Sequence, residues 1–300
     1  PLYVGSGSPL SNVGTLTNQG IELEVGYKLS VDKVNLSFLA NASYVKNEIK
    51  NLGNQTGYID KESLPTLGTV SRNENGYPIG YFFGYKAIGV FQTQEEIDSY
   101  ISPATGKPIQ PNAAPGDTKF EDLNGDGVIS DDNEDRTMIG KPNPDWMVGL
   151  TVAADWNGFD LSAFFQGSFG ADVFDALRRY ELAAVNYTSD ALERWTGPGT
   201  SNSMPRIVLG DTPKNFRPST LLVHDASFLR LRNLQVGYTL PAQLTRKAYI
   251  QRLRFYASFD NLLTITGYKG MDPEIGSTMG IDKGVYPQAR VYTFGLNLTF

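Results

Sequence analysis

The residues best spaced for chemistry lie in one short run, Asp122-Leu-Asn-Gly-Asp-Gly-Val-Ile129. Asp122, Asn124 and Asp126 alternate as the first, third and fifth positions of a calcium loop do. Gly127 supplies the sharp turn at the sixth position, and Val128 offers its carbonyl at the seventh. Carboxylate, amide and carbonyl oxygens converging on one point suit calcium, a hard cation. The twelfth position holds Asn133 where such loops carry a bidentate Glu, so Glu134 or Asp135 is expected to close the shell. The run lacks the two flanking helices of a calcium sensor, which predicts a structural ion. The other reading of these residues is an acidic, Asx-rich surface loop that binds no metal.

A second group of candidates lies between Asp172 and Trp195. Helix formers and apolar residues recur there at three- and four-residue spacings, predicting one or two surface helices ended by Gly197-Pro198-Gly199. Tyr180, Tyr187 and Trp195 on such helices either contact a ligand or pack the helices down. Tyr77, Tyr81 and Tyr85 carry the same two readings. His224 is the single histidine. It is a ligand contact, a proton switch or, as the favoured reading, a hydrogen-bonded loop residue. The lack of Cys excludes a Cys-ligated metal, and a single His argues against a His-based zinc site or a Ser-His triad. No nucleophile elbow or phosphate loop is present, and carboxylate pairs such as Glu22 and Glu24 fall on one strand face. The chain reads as no enzyme.

The elements that position these residues are strands. Hydrophobic residues are 40% and charged ones 19% of the 300, and 12% are aromatic. The net charge of −6 argues against a nucleic-acid partner, which calls for a basic surface. Ile21, Leu23, Val25, Tyr27 and Leu29 alternate with Glu22, Glu24, Gly26 and Lys28. The same period of two runs through Trp146–Trp156 and Phe159–Phe169, joined by the hairpin turn Asn157-Gly158. It recurs over Gly20–Leu29, Val34–Lys46, Leu229–Leu240, Leu253–Thr264 and Arg290–Phe300. Leu229 and Leu231 are out of phase with Leu234 to Leu240, which predicts a bulge near Arg232 and Asn233.

A soluble β-sandwich also alternates. Three features favour a membrane barrel. The strands run ten or more residues, whereas soluble ones average about 5–6. Their second face is Ser, Thr, Asn, Gly, Asp and Glu, which suits a watery lumen. Trp146 and Trp156 bracket one strand, as interfacial aromatics do. Eleven tilted residues rise about 25 Å, the height of an outer-membrane apolar band. Connections are short at Ser30–Lys33, Asn157-Gly158 and Pro241–Gln251, and long over residues 47–145, 170–225 and 267–289. Strict alternation of short turns inside and long loops outside holds only if Tyr81–Phe91 stays within the first long loop. The prediction is an all-β chain: seven antiparallel spanning strands of a transmembrane barrel, with three long extracellular loops. Pro1 with no Met and no signal peptide is read as the start of a processed chain or a fragment.

The order of its motifs resembles a known family. SNVGTLTNQGIELEVGY, YPIGYFFGYKAIGVFQT, PGDTKFEDLNGDGVI, DRTMIGKPNPDW, LRLRNLQVGYTLP, NLLTITGYKGMDPEIG and GVYPQARVYTFGLNLTF follow one another over nearly all 300 residues. Together they resemble the C-terminal third of SusC/RagA-type TonB-dependent outer-membrane transporters of Bacteroidetes. The resemblance implies residues 1–300 as the C-terminal part of a 22-stranded barrel, with lipid outside and extracellular loops at about 47–145, 170–225 and 267–289. The family's plug and the segment that meets the TonB complex have no counterpart in these residues. It further implies import of oligosaccharides or peptides, captured with a SusD-like surface lipoprotein that lids the barrel. A surface glycan-binding β-protein without transport activity is the alternative from another class, and a passive porin is a third.

Overall fold

The computed structural model describes residues 14–131, 134–178, 180, 182, 185–275 and 279–300. Seven strands join in sequence order into one sheet: β1 (Thr15–Val31), β2 (Val34–Asn51), β3 (Trp146–Trp156), β4 (Phe159–Phe169), β5 (Phe228–Thr239), β6 (Arg252–Thr266) and β7 (Val291–Thr299). All neighbours pair antiparallel. The Tyr81–Phe91 segment takes no place in this sheet, as the loop parity required. Its two short strands, Tyr81–Tyr85 and Ala87–Val90, pair with Arg136–Gly140 and Thr118–Phe120 inside the first loop.

Register sorts the side chains. Residues directly opposite in antiparallel strands share a face. One row runs Val31, Val34, Trp156, Phe159, Tyr238, Phe255, Leu296 across the whole sheet. Another runs Val25, Ala40, Leu150, Phe165, Leu231, Leu263. Between them lies the polar row Lys28, Ser37, Ala153, Ser162, Gln235, Ser258, Thr293. A sheet with Ile21, Leu23, Phe294 and Leu296 exposed on one face is built for lipid on that side.

Three strands outrun their sequence-based bounds: β1 has 17 residues, β2 18 and β6 15. Apolar alternation marks only the part of a strand that meets lipid. Beyond it the ladder continues with polar side chains, as where Asn47 Nδ2 donates to Asn18 Oδ1 at 2.6 Å. The first long loop therefore begins at residue 52, not 47. The predicted bulge is present. Pairing of β4 with β5 passes from Phe164–Asn233 directly to Phe165–Leu231, leaving Arg232 as the extra residue.

The long loops build a second unit at one end of the sheet. Its main core joins Val70 and Phe82 of the first loop, Phe174 and Leu222 of the second, and Ile281 of the third. A small three-stranded sheet stitches the second and third loops: Asp172–Asp175 pairs antiparallel with Val223–Asp225 and parallel with Ile281–Asp282. The helices expected over Asp172–Trp195 give way to this strand and to a 3-10 turn at Ser189–Glu193. Val173 and Phe174 are both buried, one in each of two core clusters, and an extended backbone sends them to opposite sides as a helix would not. No helix among the described residues is long and apolar enough to cross a membrane, which says nothing of crossing by strands.

Candidate functional site

The acidic run folds as a tight loop closed by its own side chains. Asp122 Oδ1 accepts the Gly125 N–H at 2.8 Å, and Oδ2 accepts the Gly127 N–H at 2.9 Å. Asp126 Oδ1 accepts the Val128 N–H at 2.8 Å. Gly127 has a φ of 88°, and a Cβ there would meet Ser102 at 2.7 Å, so the turn needs glycine twice over. The Asn124 amide lies between two carboxylates, its Nδ2 donating to Asp126 Oδ2 at 3.0 Å and to Glu134 Oε2 at 2.9 Å. Asp135 is fully buried and faces the backbone: Oδ1 accepts Leu123 N–H at 3.1 Å and Oδ2 accepts Ser130 N–H at 3.0 Å. Asp132 and Asn133 lie outside the described residues. Among the described residues, no three His, Cys, Asp or Glu side chains are arranged around a common metal position. The donor set is nonetheless oxygen-rich, and turning the Asn124 amide would aim its Oδ1 where its Nδ2 now lies.

The structure separates the three aromatics of the second loop. Tyr180 is 2% exposed, packs on Phe216 at 5.1 Å between ring centres, and shares a hydrogen bond with Thr188 Oγ1 at 3.0 Å. It also forms part of the wall of a cavity of about 390 Å³ with Arg178, Asp190, His224 and Lys269. Tyr187 is 42% exposed, and its hydroxyl donates to the Leu182 carbonyl at 2.8 Å. Trp195 donates from Nε1 to Gln92 Oε1 at 3.1 Å and lies over Gly116, where a Cβ would meet its ring at 2.4 Å. Trp195 thus bridges the first and second loops.

His224 stands on a strand and not in a free loop. Its Nε2 has no hydrogen-bond partner among the described residues and lies 3.8 Å from Asp175 Oδ2. Burial, aided by Arg178, holds its pKa below the ordinary histidine value, against the opposing pull of Asp175 and Asp190. The expected hydrogen-bonded histidine is therefore corrected at Nε2, because the adjoining elements wall it off without offering an acceptor at bonding distance.

Two clusters were missed by sequence reasoning. In the first, three guanidinium groups alternate with four rings. Arg72 lies 4.0 Å from the Tyr58 ring centre and 3.6 Å from Phe83. Arg136 lies 4.3 Å from Phe83 and 5.7 Å from Tyr85, and Arg217 lies 4.7 Å from Tyr85 and 5.0 Å from Phe120. Such stacking is worth most where water is excluded. Burial lowers the Arg136 pKa and raises that of Tyr85. Tyr77 stacks on Tyr81, whose hydroxyl bonds to Glu74. The only sequence signal was Phe83 and Tyr85 sharing one strand face.

The second cluster clasps the third loop to the inner face of the sheet. Arg230, 1% exposed, donates to Asp272 Oδ1 at 2.6 Å, Glu274 Oε2 at 2.9 Å and Thr264 Oγ1 at 2.9 Å. Arg232 grips Glu274 through both oxygens at 2.6 Å and reaches Gln166 of β4 at 2.6 Å. Asp272 also accepts the Gln288 N–H at 3.0 Å, tying the loop's end to its beginning. The bulge was legible, but the clasp was not: Arg230 and Arg232 both reach Glu274, which lies more than forty residues further along the chain.

Comparison with known proteins places these features in a family. No protein-family model matches the chain. It is 32% identical to TonB-dependent receptor P3 of Formosa agariphila over its whole length, covering 30% of that protein. It is 30% identical to TonB-dependent receptor SusC of Bacteroides thetaiotaomicron, over 96% of the chain and 27% of the relative. Among solved structures, the RagAB peptide transporter matches the whole chain with a TM-score of 0.75 and 27% identity, over 31% of that chain. The chain thus spans about a third of the length of the relatives it matches.

Proposed function

The chain belongs to the SusC/RagA family of TonB-dependent receptors of the Bacteroidetes outer membrane, and we propose that it supplies wall and extracellular loops to a nutrient importer. The observation that carries this reading is the seven-stranded sheet with an apolar outer face, a polar inner face and one end covered by packed loops. A glycan-binding sandwich would bury one face of that sheet against a second sheet. In this reading lipid covers it instead. The cargo is an oligosaccharide or a peptide, taken with a SusD-like surface lipoprotein docked on the loops and drawn in by the TonB complex. The likeness to the RagAB peptide importer supports the peptide class, and the resemblance of the motifs to the SusC/RagA family supports the oligosaccharide class.

Tyr180, Tyr187 and Trp195 serve as separate substrate contacts in this reading. Asp122, Asn124, Asp126, the Val128 carbonyl and Glu134 or Asp135 hold one structural calcium that stiffens the first loop. The test is uptake by a strain lacking the complete gene, complemented with it or with an empty vector. Labelled oligosaccharide or peptide should accumulate only with the gene, and a proton ionophore should abolish accumulation. Uptake unaffected by the ionophore would assign a passive pore, and binding without uptake a surface glycan receptor.

A further inference from the structure

At the periplasmic end, two connections are minimal, Asp32-Lys33 and Asn157-Gly158. The third, between β5 and β6, is far longer than a hairpin needs. It forms a helical turn at Ala242–Thr245 followed by a 3-10 turn at Arg246–Ala248. Its composition is unlike a simple linker. Leu244 is 59% exposed and Tyr249 90% exposed. Tyr249 sits in the left-handed region at φ 61°, a backbone conformation disfavoured for a residue with a Cβ. Its ring gains no packing within the chain to offset that. Arg246 and Lys247 occupy the last turn, and neither has an ion-pair partner among the described residues.

The surroundings indicate what covers this turn. Trp156 stacks on Phe159 at 6.1 Å, and Phe159 meets Tyr238 at 4.4 Å, in the last-but-one outward row of the sheet. Such a row marks the level of the lipid headgroups. Leu240 and Leu253 follow on the same face, and the helical turn begins two residues on, at Ala242, with Pro241 as its N-cap. Exposed Leu and Tyr beside two unpaired cations, just past an aromatic girdle, match the boundary between acyl chains and phosphates.

We propose that residues 241–251 are an interfacial anchor docking on phospholipid headgroups of the periplasmic leaflet. Arg246 and Lys247 bind lipid phosphate, while Leu244 and the Tyr249 ring enter the acyl boundary. The anchor fixes the height of the β5–β6 hairpin, the same hairpin whose other end carries the Arg230–Arg232 clasp.

The complete receptor is reconstituted in nanodiscs of phosphatidylcholine with a minor share of phosphatidylglycerol. The parent, Arg246→Gln plus Lys247→Gln, and Lys33→Gln are compared by native mass spectrometry of retained lipid. The double variant should lose about fivefold or more of its preference for phosphatidylglycerol, while Lys33→Gln keeps it. Equal preference in all three overturns the proposal. A second arm places a fluorophore on Tyr249→Cys. Quenching by spin-labelled lipid supports the anchor. Quenching by aqueous iodide alone, or by neither agent because protein covers the site, overturns it.

Discussion

The wall and the cap of loops solve the same problem by opposite means. In the wall each strand touches its sequence neighbours, and its apolar residues face outward, where lipid receives them. In the cap, Val70 and Ile281 share a core although 211 positions (281 minus 70) separate them. Water surrounds that cap, so its apolar residues have only one another to pack against. The wall can therefore form strand by strand, while the cap core closes only after the third loop has been made. A chain whose three loops share one core also makes them a single body, and a ligand or partner that moves one loop must move or break the others.

The largest test of this contrast is Phe174→Ala. Phe174 is fully buried where strands from the second and third loops meet and lies 5.9 Å from the Phe82 ring of the first. Truncation should cost the cap about 3–5 kcal/mol. Hydrogen exchange on the complete receptor should show all three loops loosened and β1 to β7 unchanged. Loosening confined to the second loop would break the single-body account. The wall has its own test in Leu150→Arg against Thr151→Arg. Leu150 faces outward near mid-strand, and Thr151 faces inward. Refolding into bilayers should cost about 2–4 kcal/mol for the first and much less for the second. Equal costs would overturn the face assignment.

Legibility follows the same division. Wall strands declare themselves through a period of two, because membrane thickness demands about ten alternating residues and water on the inner face demands polar ones. Even the bulge at Arg232 was readable, as a slip of phase. The cap offers no period. Asp172–Asp175 read as part of a helix because its neighbours Ala176, Leu177 and Arg178 favour helix, and only pairing with the distant Val223–Asp225 and Ile281–Asp282 makes it a strand. The clasp formed by Arg230, Arg232, Asp272 and Glu274 spans two segments with no local signature. The metal run stood out because calcium loops are local in sequence.

A smaller effect tests whether the run joins the cap as a metal site. Extracellular calcium modules bind at about 10⁻⁴–10⁻³ M, so calcium at about ten times the dissociation constant would add about 1.4 kcal/mol to the folded loop. Calorimetric titration of the metal-stripped receptor should show one site, lost in Asp122→Ala plus Asp126→Ala. Calcium should slow exchange in the first loop and leave β3 and β4 unaffected. Absence of heat in the parent would assign the run to an Asx-closed turn, with Asn124 doing the bridging that a cation would do.

The smallest expected effect is titration of the cap seam. His224 and Asp175 lie on paired strands of the second loop, with Asp282 of the third loop beside Asp175, and Tyr268 donates to Asp282 at 2.7 Å. Burial lowers the folded His224 pKa from 6.5, with Arg178 and Lys269 adding to the shift and Asp175 and Asp190 opposing it. As pH falls below 6.5, an imidazole in the opened seam takes a proton before one in the closed seam does. The opened form then binds more protons, so cap stability is complete above that pH and declines below it until the folded histidine is itself protonated. The wall holds no histidine among β1 to β7 and should not follow this trend. Exchange of residues 172–175 and 281–282 should be faster at about pH 5 than at about pH 7.5 once corrected for intrinsic rates, and His224→Gln should remove the difference. If the variant keeps the pH dependence, His224 is not its source, and the contrast between wall and cap rests on packing alone.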